Sequence, residues 1–261
     1  MNFSKITNAS DLIVEYLQTR AIDKVFCVSG GSIHNIIASI DKSNYIDLIP
    51  CYHEQGAVFA AEAYARETGK PGVVLVTSGP GLTNIMTGLS CCWVDGIPLL
   101  VLAGQVLSAQ KLENLVVKPR QRGVQESPTH QSVLSNTKYS VSLTHDCDFL
   151  YELDNSYQIA IKPRMGPVVI EIPVEISYKK IRINANQPIL PELEQQLKPT
   201  LNLEYISESI YQQIENAKRP YIVLGNGIRN LPQDQLYRFL QILEEQNISY
   251  SSTWASKDLI E

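Results

Sequence analysis

Four short, almost continuous apolar runs, KVFCV, YIDLIPC, GVVLVTS and PLLVLAG, recur within residues 24–104, and the first three lead through a turn into a segment with helical spacing. A strand that is apolar on both faces must be covered on both, and parallel strands joined by helical crossovers achieve this. The pattern predicts an α/β fold, a doubly wound parallel sheet. In the first helix Leu12, Ile13, Tyr16 and Leu17 share a face, with Ser10 as the expected N-cap. The second helix carries Ile36, Ile37 and Ile40 after Gly30-Gly31. The third is rich in alanine and should end at Gly69, with Pro71 close behind. Its small faces suit a close, buried approach to another element, including one in a second subunit. The fourth, LTNIMTGLSCCW, follows Gly79-Pro80-Gly81. After a long loop rich in Lys and Arg, a helix near 147–161 and the strand GPVVIEIP should complete this domain, residues 1–180.

Residues 181–200, with Pro188, Pro191 and Pro199, read as a linker. Residues 201–261 then begin a second, Rossmann-like α/β domain: NLEYISESIYQQIENA, PYIVLG, QDQLYRFLQILEEQ and SYSSTW. About 60 residues are few for an independent domain, so the chain is expected to stop inside it.

With 44% hydrophobic and 19% charged residues, the chain has the balance of an ordinary globular protein. A net charge of −5 is the wrong sign for a nucleic-acid footprint or a polybasic membrane patch, so neither nucleic acid nor membrane is expected as a partner. The start, MNFSKITNASD, lacks the apolar core of a signal peptide, and the longest apolar stretch, IPLLVLAG, is too short to cross a bilayer. Cys27, Cys51, Cys91, Cys92 and Cys147 form no C-x-x-C and read as reduced thiols in a cytoplasmic protein. The adjacent Cys91 and Cys92 fit core packing, with a redox pair as the alternative.

Chemistry gathers at the turns. His53-Glu54 opens the alanine helix, but a zincin would need a second His where Ala57 stands. The other histidines and acids lack metal-ligand spacing, so no metal ligand is expected from this chain. TSGPGLTN, residues 77–84, nearly spells G-x-G-x-x-G, with Asn84 in place of the third Gly and no acidic residue following at the usual interval. It reads as a dinucleotide turn or as glycines needed for strand-to-helix geometry. Pro80 makes it stiffer, which suits a wall against a ring more than a phosphate cradle. RETGKPG is not a Walker A loop, because Pro71 follows Lys70. Glu54 itself has two readings. As a first-turn acid it complements the helix dipole, worth about 0.3–1 kcal/mol. As a carboxyl group at the carboxyl edge of a parallel sheet, beside Ser29-Gly30-Gly31 and Thr77 to Gly81, it stands where ligands bind in such folds and can meet a flat ring.

In order along the chain, VFCVSGGSIHNI, HEQGAVFAAEAYARETGKPGVVLVTSGPGLTNIMTGL, GIPLLVLAGQV, RGVQE, TKY and RMGPVVIEIP resemble the N-terminal half of the thiamine-diphosphate-dependent enzymes of the acetolactate synthase and pyruvate oxidase type. The resemblance is close over about residues 8–176, and AKRPYIVLGNGI is similar to the start of that family's central domain. It implies that Glu54 matches the glutamate that shares a proton with the cofactor's aminopyrimidine, favouring the imino tautomer that deprotonates thiazolium C2. The activated cofactor attacks and decarboxylates a 2-keto acid, and the fragment can pass to a second carbonyl. Asp would be too short for this, and Gln could not exchange the proton.

By the same resemblance, Ser29, Gly30 and Gly31 match a Pro-Gly-Gly turn, with Ser29 in place of Pro. Thr77, Pro80 and Asn84 match residues lining the pyrimidine end, and Gln105 and Gln125 match glutamines facing the reaction centre. Arg164 matches an arginine that contacts FAD in the acetolactate synthase branch, with Met165 replacing a neighbouring Pro; some relatives dispense with FAD. The family's Gly-Asp-Gly turn, which helps hold magnesium and the diphosphate, does not occur in the chain. Mg²⁺ ligands are therefore expected on a missing domain or a partner chain. The expected partners are a homodimer or higher oligomer, or a second chain carrying the diphosphate-binding domain. The expected substrate is a small 2-keto acid, pyruvate by analogy. Whether the chain is a piece of a longer polypeptide, half of a split enzyme or a degenerate product stays open. So do two other readings: a non-catalytic regulatory or assembly module, and a dinucleotide-binding oxidoreductase.

Overall fold

The apolar runs are strands, and the segments between them are helices. In chain order the first part comprises β1 (Ser4–Asn8), α1 (Ala9–Thr19), β2 (Lys24–Cys27), α2 (His34–Asp41), β3 (Asp47–Pro50), α3 (Glu54–Thr68) and β4 (Gly72–Val76). There follow α4 (Pro80–Thr83), α5 (Met86–Asp95), β5 (Leu99–Gln105), α6 (Thr129–Ser132), β6 (Tyr139–Ser142), α7 (Phe149–Ile161), β7 (Pro167–Pro173), α8 (Val174–Ser177) and β8 (Lys180–Asn184). The computed structural model describes residues 4–112, 115–117, 119–127, 129–184 and 203–260. The chain divides into two compact units, Met1–Leu193 and Glu194–Glu261.

Six strands of the first unit form one parallel sheet in the order β3-β2-β4-β5-β7-β6. Alternate residues of each strand point to opposite faces. Val73, Leu75, Leu100 and Leu102 pack in one core with α1, α2 and α7, whereas Val74, Val76, Val101 and Ala103 pack in another with α3 and α5. From β2 the chain steps outward to β3 and then returns to the other side of β2 as β4. The carboxyl ends of β2 and β4 therefore flank a topological switch point, where crossovers diverge and leave a crevice.

The alanine helix lies as close to its neighbours as glycine permits. Ala57, Ala61 and Ala65 form its buried face. A Cβ on Gly72 would overlap the Ala61 carbonyl, and one on Gly88 would overlap the Val58 side chain. Gly69, at φ +69°, ends the helix with its N–H on the Ala65 carbonyl at 3.0 Å. Helices α1 and α7 are joined by a buried polar group. The Tyr16 hydroxyl donates to Asp154 Oδ1 at 2.8 Å, and the Arg20 guanidinium donates to the same oxygen while lying over the Tyr16 and Tyr157 rings. Burial, and then the Asp154 carboxylate, push the Tyr16 phenol well above its ordinary range.

Three local features differ from the sequence reading. Asn8, not Ser10, caps α1: its side chain accepts the Asp11 N–H at 2.8 Å, while the Ser10 hydroxyl, inside the helix, donates to the Ser177 carbonyl. The unforeseen strand β1, paired antiparallel with β8, delivers the chain to the helix two residues earlier. LTNIMTGLSCCW is two helices, α4 and α5, separated at Asn84-Ile85. Of the expected linker, residues 181–184 belong to β8, and 185–200 lie outside the described residues.

The second unit contains α9 (Leu203–Asn216), β9 (Tyr221–Leu224), α10 (Gln233–Glu245) and β10 (Ser249–Ser252), with β9 and β10 paired in parallel. β9, α10 and β10 form one βαβ unit. All five cysteines are free thiols; Cys27 and Cys92 are buried. No helix of the described residues is long and apolar enough to cross a membrane.

Candidate functional site at the carboxyl edge of the sheet

Glu54 is the first residue of α3, directly after the β3 turn. His53 Nδ1 accepts the Gln55 N–H at 3.1 Å, capping the helix and fixing where it starts. The Glu54 side chain is turned inward, and the residue is only 9% exposed. Asn84 Nδ2 donates to Oε2 at 2.9 Å. Oε1 lies over Gly81, 3.7 Å from where a Cβ would stand, and accepts no hydrogen bond among the described residues. One carboxylate oxygen is thus held and the other is open.

The wall beside Oε1 is made by the turns after β2 and β4, meeting at the switch point. Gly30 packs directly on Thr77, since a Cβ there would overlap the threonine side chain. Ser32, in the single 3₁₀ turn Gly31–Ile33, bridges the two turns: its Oγ is 2.9 Å from Thr77 Oγ1 and accepts the Ser78 N–H at 3.0 Å. Gly79 takes φ +60°, ψ −110°, and the Gln125 carbonyl lies where its Cβ would be.

Little in the Thr77–Asn84 turn remains to bind a phosphate. Ser78 N–H is used by Ser32, Gly81 N–H by the Ser78 carbonyl, and Leu82 and Thr83 N–H by the Gly79 carbonyl. Pro80 has no N–H. A carboxylate with one open oxygen, beside glycines and a threonine methyl, fits a flat ring bearing a nitrogen. Among the described residues, no group of three or more His, Cys, Asp or Glu could hold a metal ion.

The structure thus brings Glu54, Asn84, Thr77, Gly30 and the Gly79-Pro80-Gly81 turn together. Ser29 and Gly31 are exposed in the turn after β2, and Pro80 is exposed at the start of α4. Gln105 ends β5 at the same edge; it is buried, and its Oε1 accepts the Val106 N–H at 2.8 Å. Gln125 is exposed, with φ +58°, and meets the site through its backbone carbonyl against Gly79. Arg164 stands apart. It precedes β7, at the amino edge of the sheet, where its guanidinium donates to the Val94 carbonyl. There it borders a cavity of about 480 Å³ with Trp93, Val94, Lys138 and Met165.

Sequence reasoning passed over Ser32 and Glu126. The Glu126 carboxylate accepts the Leu112, Gly123 and Arg122 N–H groups and so folds the loop that presents Gln125. Ser32 had a local signal, a hydroxyl directly after a Gly-Gly turn. Glu126 had none.

Residues 7–132 match the family model described as thiamine pyrophosphate enzyme, N-terminal TPP binding domain. The chain is 31% identical over 256 residues to the acetolactate synthase large subunit of Lactococcus lactis, a match covering 97% of this chain and 42% of that protein. It is 33% identical over 238 residues to acetolactate synthase 1, chloroplastic, of Nicotiana tabacum, covering 89% of this chain and 34% of the relative. With the mitochondrial acetolactate synthase catalytic subunit of Saccharomyces cerevisiae it shares 32% identity over 221 residues, 83% of this chain and 31% of the relative. The chain therefore spans less than half the length of these relatives.

Proposed function

We propose, from the premise that residues 7–132 belong to the N-terminal TPP-binding domain family of the thiamine pyrophosphate enzymes, that this chain supplies the pyrimidine half of an acetolactate synthase-like decarboxylase or carboligase acting on a 2-keto acid. The observation that carries the reading is the half-committed Glu54 carboxylate, with Oε2 held by Asn84 and Oε1 open over Gly81. Thiamine diphosphate, when bound, supplies the acidic carbon and the electron sink for decarboxylation.

Glu54 Oε1 holds and returns a proton at the pyrimidine ring nitrogen. Burial strengthens that contact because few waters compete for the oxygen. Asn84 keeps the carboxylate from rotating. Gly30, Thr77, Pro80 and Gly81 would supply the wall for the ring, with Ser29 and Gly31 completing the neighbouring turn. Gln105 and Gln125 stand on the substrate side, pyruvate being the default donor by analogy.

In this reading the diphosphate and Mg²⁺ are held by another domain or chain; the spent N–H groups of the Thr77–Asn84 turn support it. The assembly is a homodimer, a higher oligomer or a complex with a second chain carrying that domain. Arg164, matched to an arginine that contacts FAD in the acetolactate synthase branch, would be the contact where FAD is used; with Trp93 it edges a cavity of about 480 Å³.

The test is Glu54→Gln in a complex with a chain or domain that holds the diphosphate. Native mass spectrometry checks that cofactor mass is retained, and proton NMR follows exchange at cofactor C2. Exchange should be lost while the fold and bound mass persist; exchange at the parent rate removes the assigned role.

A further inference from the structure

Thr77 carries a hydroxyl and a methyl between Gly30 and Gly81, and Ser32 is the residue that holds the hydroxyl. The Thr77 hydroxyl points to Gly30 and Ser32, with Oγ1 2.9 Å from Ser32 Oγ. The Thr77 methyl lies against both glycines: Cγ2 is 2.9 Å from a Cβ built on Gly30 and, at 3.0 Å, is the nearest atom to one built on Gly81, with Glu54 Oε1 3.7 Å from that same Gly81 position. The methyl and the open carboxylate oxygen therefore border the same side of Gly81.

Nothing in the shape of threonine enforces this choice. Hydroxyl and methyl are nearly the same size, and a χ1 step of one rotamer cycles hydroxyl, methyl and hydrogen among the same three positions. What selects the observed rotamer is the hydrogen bond to Ser32, and Ser32 is itself fixed. Its Oγ accepts the Ser78 N–H at 3.0 Å, and its side chain lies flat on Gly104 of β5, where any Cβ would overlap it. One χ1 step would put the hydroxyl where the methyl now stands, at the face of Gly81 that Glu54 Oε1 also borders, and so offer a donor to that oxygen. That is the oxygen the reading above reserves for the pyrimidine nitrogen.

We infer that Ser32 is a positioning residue that turns the Thr77 hydroxyl away from Glu54 and so keeps Oε1 free for the cofactor ring. The inference rests on the proposed role of Glu54, but its structural half does not.

The experiment has two arms. In the chain alone, threonine-methyl NMR couplings report the Thr77 χ1 angle in the parent and in Ser32→Ala, a change that removes one half-buried oxygen and adds no bulk. The parent should hold one rotamer, and Ser32→Ala should populate a second. In the cofactor-loaded complex, Ser32→Ala should slow C2-proton exchange by about tenfold, the scale of one competing hydrogen bond. Ser32→Ala combined with Thr77→Val, which keeps the shape but has no hydroxyl to misdirect, should regain most of that loss.

An unchanged Thr77 rotamer in Ser32→Ala overturns the inference. So does a changed rotamer with unchanged exchange, or a loss that Thr77→Val does not repair. Glu54→Gln, run in parallel, separates the two levels. If it abolishes exchange while the serine variant does nothing, only the Ser32 inference fails; if it too is silent, the reading of Glu54 fails and the inference goes with it.

Discussion

Gly79→Ala tests whether the wall beside Glu54 is held by contact as well as by backbone shape. Gly79 has φ +60° and ψ −110°, outside the left-handed helical region and open in practice to glycine alone. Forcing alanine into such a region costs about 1–3 kcal/mol. The new Cβ would also stand where the Gln125 carbonyl oxygen lies, and that atom is backbone, so the loop must move. Overpacking of this kind costs about a further 1–3 kcal/mol. The sum is about 4 kcal/mol. Gly69→Ala is the internal control: at φ +69° with nothing within 4 Å of its Cβ, it carries only the backbone cost, about 1–2 kcal/mol. Native-state hydrogen exchange of the β4 and β5 amides reads the opening free energy of the first unit alone. Gly79→Ala should lower it by about 2 kcal/mol more than Gly69→Ala does, allowing for the overlap of these ranges. Equal losses in the two variants would refute the claim that the Gln125 carbonyl is a rigid part of the wall.

Two further outcomes follow from the buried groups of the same unit. Asp154→Ala leaves Arg20 and the Tyr16 hydroxyl without their shared acceptor, and breaking such a buried pair costs about 3–5 kcal/mol. The Arg20 side chain is 16% exposed and can rehydrate, so the lower end is expected; a loss near zero in the same exchange assay would contradict the clamp between α1 and α7. Burial pushes the Cys27 thiol from 9.0 to about 12, and burial followed by a carboxylate neighbour pushes the Tyr64 and Tyr139 phenols from 10.0 to about 12. Above pH 9 the unfolded chain loses protons that the folded chain keeps. The stability these groups contribute is therefore full below pH 9 and is lost as the pH rises toward 12. The urea midpoint should fall between pH 8 and pH 11, and a flat profile would show that these groups are not linked to folding.

Much of the fold was legible because its signals are local. Continuous apolar runs marked the strands, Gly69 and Pro71 marked the end of α3, and Ala57, Ala61 and Ala65 marked a helix able to approach closely. What escaped depended on partners far along the chain. β1 is a strand only because β8 pairs with it, and Asn8 becomes the cap of α1 only because β1 ends there. The site followed the same division. Glu54, Asn84, Thr77 and Gly30 were named from turns and resemblance, and the structure brings them together. Ser32 was missed because its partners, Thr77, Ser78 and Gly104, are distant in sequence. Arg164 was named beside the others, but a residue that precedes a parallel strand lies at the edge opposite one that follows a strand.

The geometry also separates two uses of the same glycine turn. A strand-to-helix turn binds phosphate through unsatisfied N–H groups at a helix start. The turn after β4 has the glycines for this and even the position, beside the switch point. Yet Pro80 removes one donor, and the Ser78, Gly81, Leu82 and Thr83 N–H groups already have acceptors within the protein. Freeing them for a dinucleotide would cost about 0.5–1.5 kcal/mol for each bond broken, with no cation on the turn itself to offset that cost. The glycines are needed here for closeness: Gly30 lets Thr77 approach, Gly79 admits the Gln125 carbonyl, and Gly81 leaves Oε1 uncovered. A surface built this way offers a flat wall and a single acceptor. Under the proposed function, such a surface would suit a ring with a protonatable nitrogen and leave any diphosphate attached to that ring to be held elsewhere.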